Sequence, residues 1–207
     1  MNMGKQETIQ HIKDTKLVAV IRGESPEEAT SLIKGSVAGG IASIELTYTT
    51  PYVEDVFKAL RGENIVIGAG TVLDPETARH AILQGAQFIV SPSFNADIAT
   101  LCNRYTIPYL PGCMSLKEMV TALESGCDIL KLFPANNFTP KFIGAVKGPL
   151  PYAQIMPTGG INADNLEEWL QAGAVAVGIG SDLNRAYAAG GVEAVTEAAR
   201  VYSAKLQ

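Results

Sequence analysis

"LVAVIRGESPEEATSLIKGSVAGGIASIELTY", residues 17–48, carries the repeating unit of this chain. An apolar run, LVAVIR at 17–22, ends in arginine and glycine. Ser25 then precedes Pro26, with Glu28 three residues beyond the serine, which is the spacing of a capping box that starts a helix. The helix-period stretch that follows closes at Gly39-Gly40, as a left-handed C-terminal cap requires. A second apolar run, SIELTY at 43–48, comes next. Strand, helix and strand in this order predict a parallel βαβ unit.

The unit recurs along the chain at a spacing of roughly 20–25 residues. Further apolar runs are IVIGAGT (65–71), QFIVSP (87–92), PYLPGC (108–113), DILKLFP (128–134), QIMPTGG (154–160) and AVGIGS (176–181). Eight strands close a TIM (β/α)8 barrel, and 207 residues suit one such α/β domain spanning 1–207. Ser115 with Glu118 repeats the capping-box spacing, and Thr50-Pro51, Asp74-Pro75 and Thr139-Pro140 place a cap residue before a helix-starting proline. Gly85, Gly126 and Gly173 mark helix ends. One extra helix over about residues 5–14 is expected to cover the barrel bottom. The competing architecture is a doubly wound open sheet. Against it, GAGTVL lacks the third glycine of a dinucleotide-binding fingerprint, and the strand-end polar residues recur around the whole chain instead of at one switch point.

Composition removes several kinds of function. Sixteen basic and twenty-one acidic residues give a net charge of −5, with no Lys/Arg-rich block for nucleic acid or an anionic membrane. The start, MNMGKQETIQHIKDTK, has no signal-peptide core, and no apolar run reaches about 18 residues, so a cytoplasmic protein is expected. Cys102, Cys113 and Cys127 form no CxxC pair and read as reduced, buried thiols. With only His11 and His80, each in a predicted helix, neither a His-based metal cluster nor a Ser-His-Asp triad is expected.

Strand alternation then orients the polar residues. In SIELTY, Ser43, Glu45 and Thr47 share one face and Ile44, Leu46 and Tyr48 the other. The apolar set must meet the helices, which turns Glu45 inward. Lys131 in DILKLFP is apolar-flanked on both faces, so the pattern does not orient it. Either it snorkels from a strand end, or it is an amine kept for chemistry. If it faces inward, acid and amine share the upper lumen; the alternative role of Glu45 is a buried ion pair with Lys131 or Arg22. Other strand ends offer Arg22, Thr71, Ser91-Pro92-Ser93, Pro111-Gly112, Thr158-Gly159-Gly160 and Gly180-Ser181. The last two follow strands seven and eight, where barrel loops often bind phosphate, unless they are tight turns without a ligand. A lysine beside a carboxylate and under a phosphate site points to a Schiff base. Desolvation favours the neutral, nucleophilic amine, and the iminium formed from a ketone is an electron sink.

The ordered set GGIASIELTYTTP, IGAGTVLDPE, GAQFIVSPSF, PYLPGCMSLKE, LKLFPA, MPTGGINADN and VGIGSDL resembles the class I 2-keto-3-deoxy-6-phosphogluconate (KDPG) aldolases. These include 4-hydroxy-2-oxoglutarate (KHG) and 2-keto-3-deoxy-6-phosphogalactonate aldolases. The resemblance runs through essentially the whole chain. It implies cleavage of KDPG or a close 2-keto-3-deoxy sugar acid to pyruvate and glyceraldehyde 3-phosphate, or of KHG to pyruvate and glyoxylate. It further implies Lys131 as the Schiff-base lysine and Glu45 as general acid/base. Thr71, Pro92 and Phe133 would shape the pyruvyl pocket, and Thr158, Gly159, Gly160, Gly180 and Ser181 would bind carboxylate and phosphate. A homotrimer with no metal or organic cofactor is implied too. One departure stands out. Thr49 occupies the substrate-binding position four residues after the glutamate, where many family members carry arginine. Arg22 could supply that anion contact from the neighbouring strand. The alternatives are a phosphate-binding barrel isomerase or epimerase without covalent catalysis, and a non-catalytic sugar-phosphate-binding protein.

Overall fold

Each of the eight apolar runs becomes a strand, because each is a short apolar run bounded by turn or cap residues and too short for a helix. The computed structural model describes residues 3–206. Its strands are β1 (Leu17–Ile21), β2 (Ser43–Thr47), β3 (Val66–Gly70), β4 (Ile89–Ser91), β5 (Tyr109–Cys113), β6 (Ile129–Leu132), β7 (Gln154–Pro157) and β8 (Val177–Ile179). The helices are α1 (Lys5–Thr15), α2 (Pro26–Ala38), α3 (Val53–Ala59), α4 (Pro75–Gln84), α5 (Ala96–Arg104), α6 (Leu116–Glu124), α7 (Lys141–Lys147), α8 (Leu166–Gln171) and α9 (Ser181–Ala204). A 3₁₀ turn, Ala135–Asn137, lies between β6 and α7.

The strands pair in parallel in the order β7-β6-β5-β4-β3-β2-β1-β8. A Thr158–Gly178 bridge and a 2.9 Å bond from the Val175 N–H to the Ile155 carbonyl join β7 to β8. The result is a TIM barrel, the expected fold.

Alternation divides the buried side chains into two sets. Ile44, Leu46, Leu130, Leu132, Ile155 and Ile179 point outward and pack with the helices. Val18, Val66, Phe88, Val90, Leu110, Ile129, Met156 and Ala176 fill the lower lumen. Ile9 and Ile12 of α1 join this inner set, so the expected N-terminal helix plugs the barrel bottom. It is fastened by a 2.8 Å ion pair from Lys5 to Asp128 and by a 3.1 Å contact between the Thr15 and Ser43 hydroxyls. Because α1 and this inner core close the lower end, the open end is the one where the strands finish.

The expected caps form at Asp74 and Ser115. Asp74 accepts from the Thr77 N–H at 2.6 Å, and the Ser115–Glu118 box is complete. Gly40, Gly85, Gly126 and Gly173 adopt the left-handed conformation at helix ends. Three helix starts differ from expectation. Ser25 caps Glu28, but the Glu28 carboxylate takes the Glu24 N–H instead of closing the box. Thr50 does not cap α3: its hydroxyl accepts from the Gly23 N–H at 3.2 Å, tying the β1 and β2 loops together, and the helix starts after Tyr52. Thr139 caps nothing either, since α7 begins one residue later, after Pro140.

The three cysteines are buried free thiols, and burial pushes each up to about 12. None of the described helices is long and apolar enough to cross a membrane.

Candidate active site

The orientation that sequence leaves open at Lys131 follows from its neighbours. Leu130 and Leu132 belong to the outer core and Ile129 to the lumen, so Lys131 points inward. Its Nζ donates to Glu45 Oε1 at 3.0 Å and Oε2 at 3.2 Å. The two residues come from opposite sides of the barrel and are 4% and 1% exposed. Two opposite charges so fully removed from water are tolerable only because each is the other's partner. Glu45 therefore pairs with Lys131 and not with Arg22. The Phe133 ring lies 5.1 Å from Nζ, within range of a cation–π contact.

Space for this pair is made by glycines that sequence reading passed over or assigned elsewhere. A Cβ on Gly70 would overlap Glu45 Oε1 and lie 2.6 Å from its Cγ. Gly112, the register partner of Lys131, lets the Pro92 backbone approach where a Cβ would collide with its carbonyl. On Gly178 a Cβ would strike Thr158 Oγ1, a buried hydroxyl with no hydrogen-bond partner among the described residues. Glycine inside a strand was the available signal, since it marks close approach.

The mouth is built from the strand-end loops. Thr71 has φ 57°, strained for a β-branched residue. Bonds on either side hold it there: Tyr48 N–H to the Gly70 carbonyl at 2.8 Å before it, and after it Val72 N–H to the Val90 carbonyl at 3.1 Å and the Ser91 hydroxyl to the Val72 carbonyl at 2.6 Å. Beside it, the Tyr109 hydroxyl donates to the Ser93 carbonyl at 3.2 Å and accepts from the Asn95 N–H, fixing the loop that carries Pro92. Burial raises the pKa of that phenol, which keeps it neutral.

Arg22 follows β1 at the exposed rim, and its guanidinium makes no ion pair among the described residues. Thr49 is exposed at the same rim, with its hydroxyl 3.0 Å from that of buried Thr47.

After β7, Gly159 and Gly160 take φ values of 98° and 75°. A Cβ on Gly160 would lie 2.9 Å from Asn136 Cβ, so the 3₁₀ turn packs directly against this loop. The Ala135 N–H also donates to the Thr158 carbonyl at 2.9 Å. After β8, Gly180 is the N-cap of α9 and Ser181 its first residue. The first N–H groups of a helix have no intrahelical acceptor, and the helix dipole favours an anion there. Both glycine loops thus flank the same mouth, one strand apart. Every site residue read from the sequence lies on the inward face of a strand or in a loop at this end. Thr47, Gly70 and Gly178 were not among them.

The chemistry available is that of an amine and a carboxylate within proton-transfer distance, under a mouth lined by hydroxyls, an unpaired arginine and glycine turns. Among the described residues, no group of three or more His, Cys, Asp or Glu side chains is placed to hold a metal ion.

Known proteins share this arrangement of sequence and fold. Residues 8–198 match the family model "KDPG and KHG aldolase". The chain is 36% identical over 174 residues to the 2-dehydro-3-deoxy-6-phosphogalactonate aldolase of Escherichia coli, covering 82% of this chain and 85% of the relative. It is 34% identical over 197 residues to the KHG/KDPG aldolase of the same organism, covering 92% of each. A KDPG aldolase from Legionella pneumophila, solved with pyruvate captured as a covalent carbinolamine intermediate, superposes with a TM-score of 0.82 at 27% identity. That match covers 98% of this chain and 99% of the other. With a family model matched over most of its length and relatives above 30% identity on both sides of the gluconate–galactonate divide, this chain belongs to the KDPG and KHG aldolase family.

Proposed function

We propose that the protein is a Schiff-base aldolase that cleaves 2-keto-3-deoxy-6-phosphogluconate, or a close 2-keto-3-deoxy sugar acid, to pyruvate and glyceraldehyde 3-phosphate. On this reading it also cleaves 4-hydroxy-2-oxoglutarate to pyruvate and glyoxylate. The observation that carries the reading is the buried Lys131–Glu45 contact at 3.0 Å. Glu45 takes a proton from Lys131, and the neutral amine adds to the C2 ketone of the substrate. The carbinolamine loses its hydroxyl as water, with the proton supplied by Glu45, and leaves an iminium. Carbinolamine is the species captured in the Legionella relative.

Glu45 next accepts the C4 hydroxyl proton. The C3–C4 bond breaks, its electron pair forms the C2–C3 double bond of an enamine, and C4 leaves as an aldehyde. Protonation at C3 and hydrolysis then release pyruvate and restore Lys131. Thr71, Pro92 and Phe133 enclose the pyruvyl part. Arg22 holds a substrate anion through charge-assisted hydrogen bonds, and the Thr158–Gly160 and Gly180–Ser181 loops hold carboxylate and phosphate.

The test is to supply purified protein with the phosphorylated gluconate- and galactonate-derived keto acids and with 4-hydroxy-2-oxoglutarate, and to follow pyruvate. Turnover of at least one phosphorylated acid is expected, faster than that of its dephosphorylated analogue. Pyruvate from none of the three, with the fold intact, would leave a sugar-phosphate-binding protein as the better reading.

We also propose that the chain acts as one barrel unit within a homotrimer. Exposed Tyr52, Leu73 and Met114, on the mouth-side loops of β2, β3 and β5, supply apolar surface for such contacts. Light scattering should return about three times the 21.9 kDa chain mass. A monomer at assay concentration would contradict the proposal.

A further inference from the structure

The inward face of β2 carries three polar residues in a row, and each has a different partner. Ser43, at the bottom, contacts Thr15 of the plug helix at 3.1 Å. Glu45, in the middle, holds Lys131. Thr47, at the top, is 1% exposed, and its hydroxyl lies 3.0 Å from that of Thr49 at the rim. The first two have structural and chemical roles already described. Thr47 has none, yet a hydroxyl is an expensive group to bury on a strand where valine would pack as well.

Strand geometry places it relative to the reaction. Strands rise about 3.3 Å per residue, so Thr47 sits about 6–7 Å above Glu45, toward the mouth. The register pairs Thr47 with Gly70, which has no side chain, and pairs Leu46 with Ile21. Continued by one residue, it sets Arg22 beside Thr47. Arg22 is exposed, so across β1, β2 and β3 at this height Thr47 offers the buried hydrogen-bonding side chain. In the Schiff base, C2 is bonded to Lys131 Nζ in the middle of the lumen. The substrate chain leaves toward the mouth, and C4 lies two bonds farther along it. The C4 hydroxyl, whose proton Glu45 removes, must therefore lie between the heights of Glu45 and Thr47.

We infer that Thr47, oriented by Thr49, is a specificity-determining residue that hydrogen-bonds the C4 oxygen of the substrate. Either threonine can donate in their mutual contact. When Thr49 donates, the Thr47 proton is free to point into the lumen. It then meets an oxygen that gains negative charge as its own proton leaves for Glu45, so the bond strengthens toward the transition state. A single donor at a fixed height also favours one configuration at C4, because only one lets the oxygen meet the Thr47 hydroxyl while its proton leaves for Glu45. The assignment rests on the Schiff-base reading above, and the experiment separates the two.

Thr47→Val keeps the shape and removes the hydroxyl. Exchange of pyruvate methyl protons with deuterated water needs Lys131 and Glu45 but no aldehyde half, so it should stay near the wild-type rate. Cleavage of the six-carbon substrate should lose about 10–100-fold in kcat/KM, because its C4 oxygen is left unpartnered. The preference between the gluconate- and galactonate-derived acids should narrow. Thr47→Ser should restore most of the cleavage, and Thr49→Val should shift it in the direction of Thr47→Val by less. Unchanged cleavage in Thr47→Val would overturn the assignment. Equal losses in exchange and cleavage would overturn it too, since Thr47 would then act on the Schiff base or on the fold. Absence of exchange in the wild-type protein would instead remove the Schiff-base reading, and this assignment with it.

Discussion

Lys131→Arg should abolish aldol cleavage while the barrel still folds. Arginine keeps a positive charge opposite Glu45, so the carboxylate buried at 1% exposure retains its partner. Its guanidinium cannot form the imine, and covalent catalysis is lost outright. The expected fall in kcat is about 10⁴–10⁶-fold, the scale on which loss of a nucleophile acts. The larger head must fit beside Phe133 and Met156, and overpacking of this kind costs about 1–3 kcal/mol. Lys131→Met should unfold more readily despite its closer shape. It leaves Glu45 without a counter-charge, and breaking a buried pair from one side costs about 3–5 kcal/mol. Thermal melting of both variants beside steady-state kinetics checks the contrast. Cleavage by Lys131→Arg that falls much less than about 10⁴-fold below wild type would mean that the amine is not the nucleophile.

The second large effect is expected at Glu45. Glutamine has the same shape and can still accept a hydrogen bond from Lys131, but it cannot carry protons between the amine, the leaving hydroxyl and C4. Glu45→Gln should lower kcat by about 10²–10⁴-fold. Pyruvate should still add to Lys131, more slowly, because addition needs a neutral amine and not this carboxylate as such. A near-normal kcat would reduce Glu45 to a structural partner that keeps a buried lysine soluble in the core. The two variants thus separate covalent chemistry from proton transfer. One loses the intermediate altogether, and the other forms it and passes through it slowly.

Much of the barrel was legible because its signals are local. Eight apolar runs, Asp74 and Ser115 before helix starts, and Gly85, Gly126 and Gly173 after helix ends each act through a few neighbouring residues. The misread starts fail for a different reason. Thr50 is a good cap by residue type, but Gly23, 27 residues earlier, offers its N–H in space and takes the hydroxyl. The Glu28 box fails locally instead, because its carboxylate takes the N–H of Glu24, four residues before it, and not that of Ser25.

At the site, alternation sufficed for Glu45, whose strand has one apolar face. It did not suffice for Lys131, whose strand is apolar on both. Only closure of the barrel decides that Ile129 and Lys131 look inward. The lumen glycines were harder still. GAG in β3 reads as a fragment of a nucleotide-binding turn, whereas Gly70 makes room for the Glu45 side chain on the neighbouring strand. The Thr47–Thr49 contact depends on how the chain bends as it leaves β2, and no periodicity reports that bend.

The central claim is that Lys131 forms a covalent bond with the keto acid. Incubation with pyruvate and sodium borohydride, followed by peptide mapping, tests it most directly. The account predicts loss of activity together with one reduced pyruvyl adduct, on the peptide containing Lys131, and no adduct in Lys131→Arg. An adduct on any other lysine, or full activity after borohydride with no adduct at all, would contradict it.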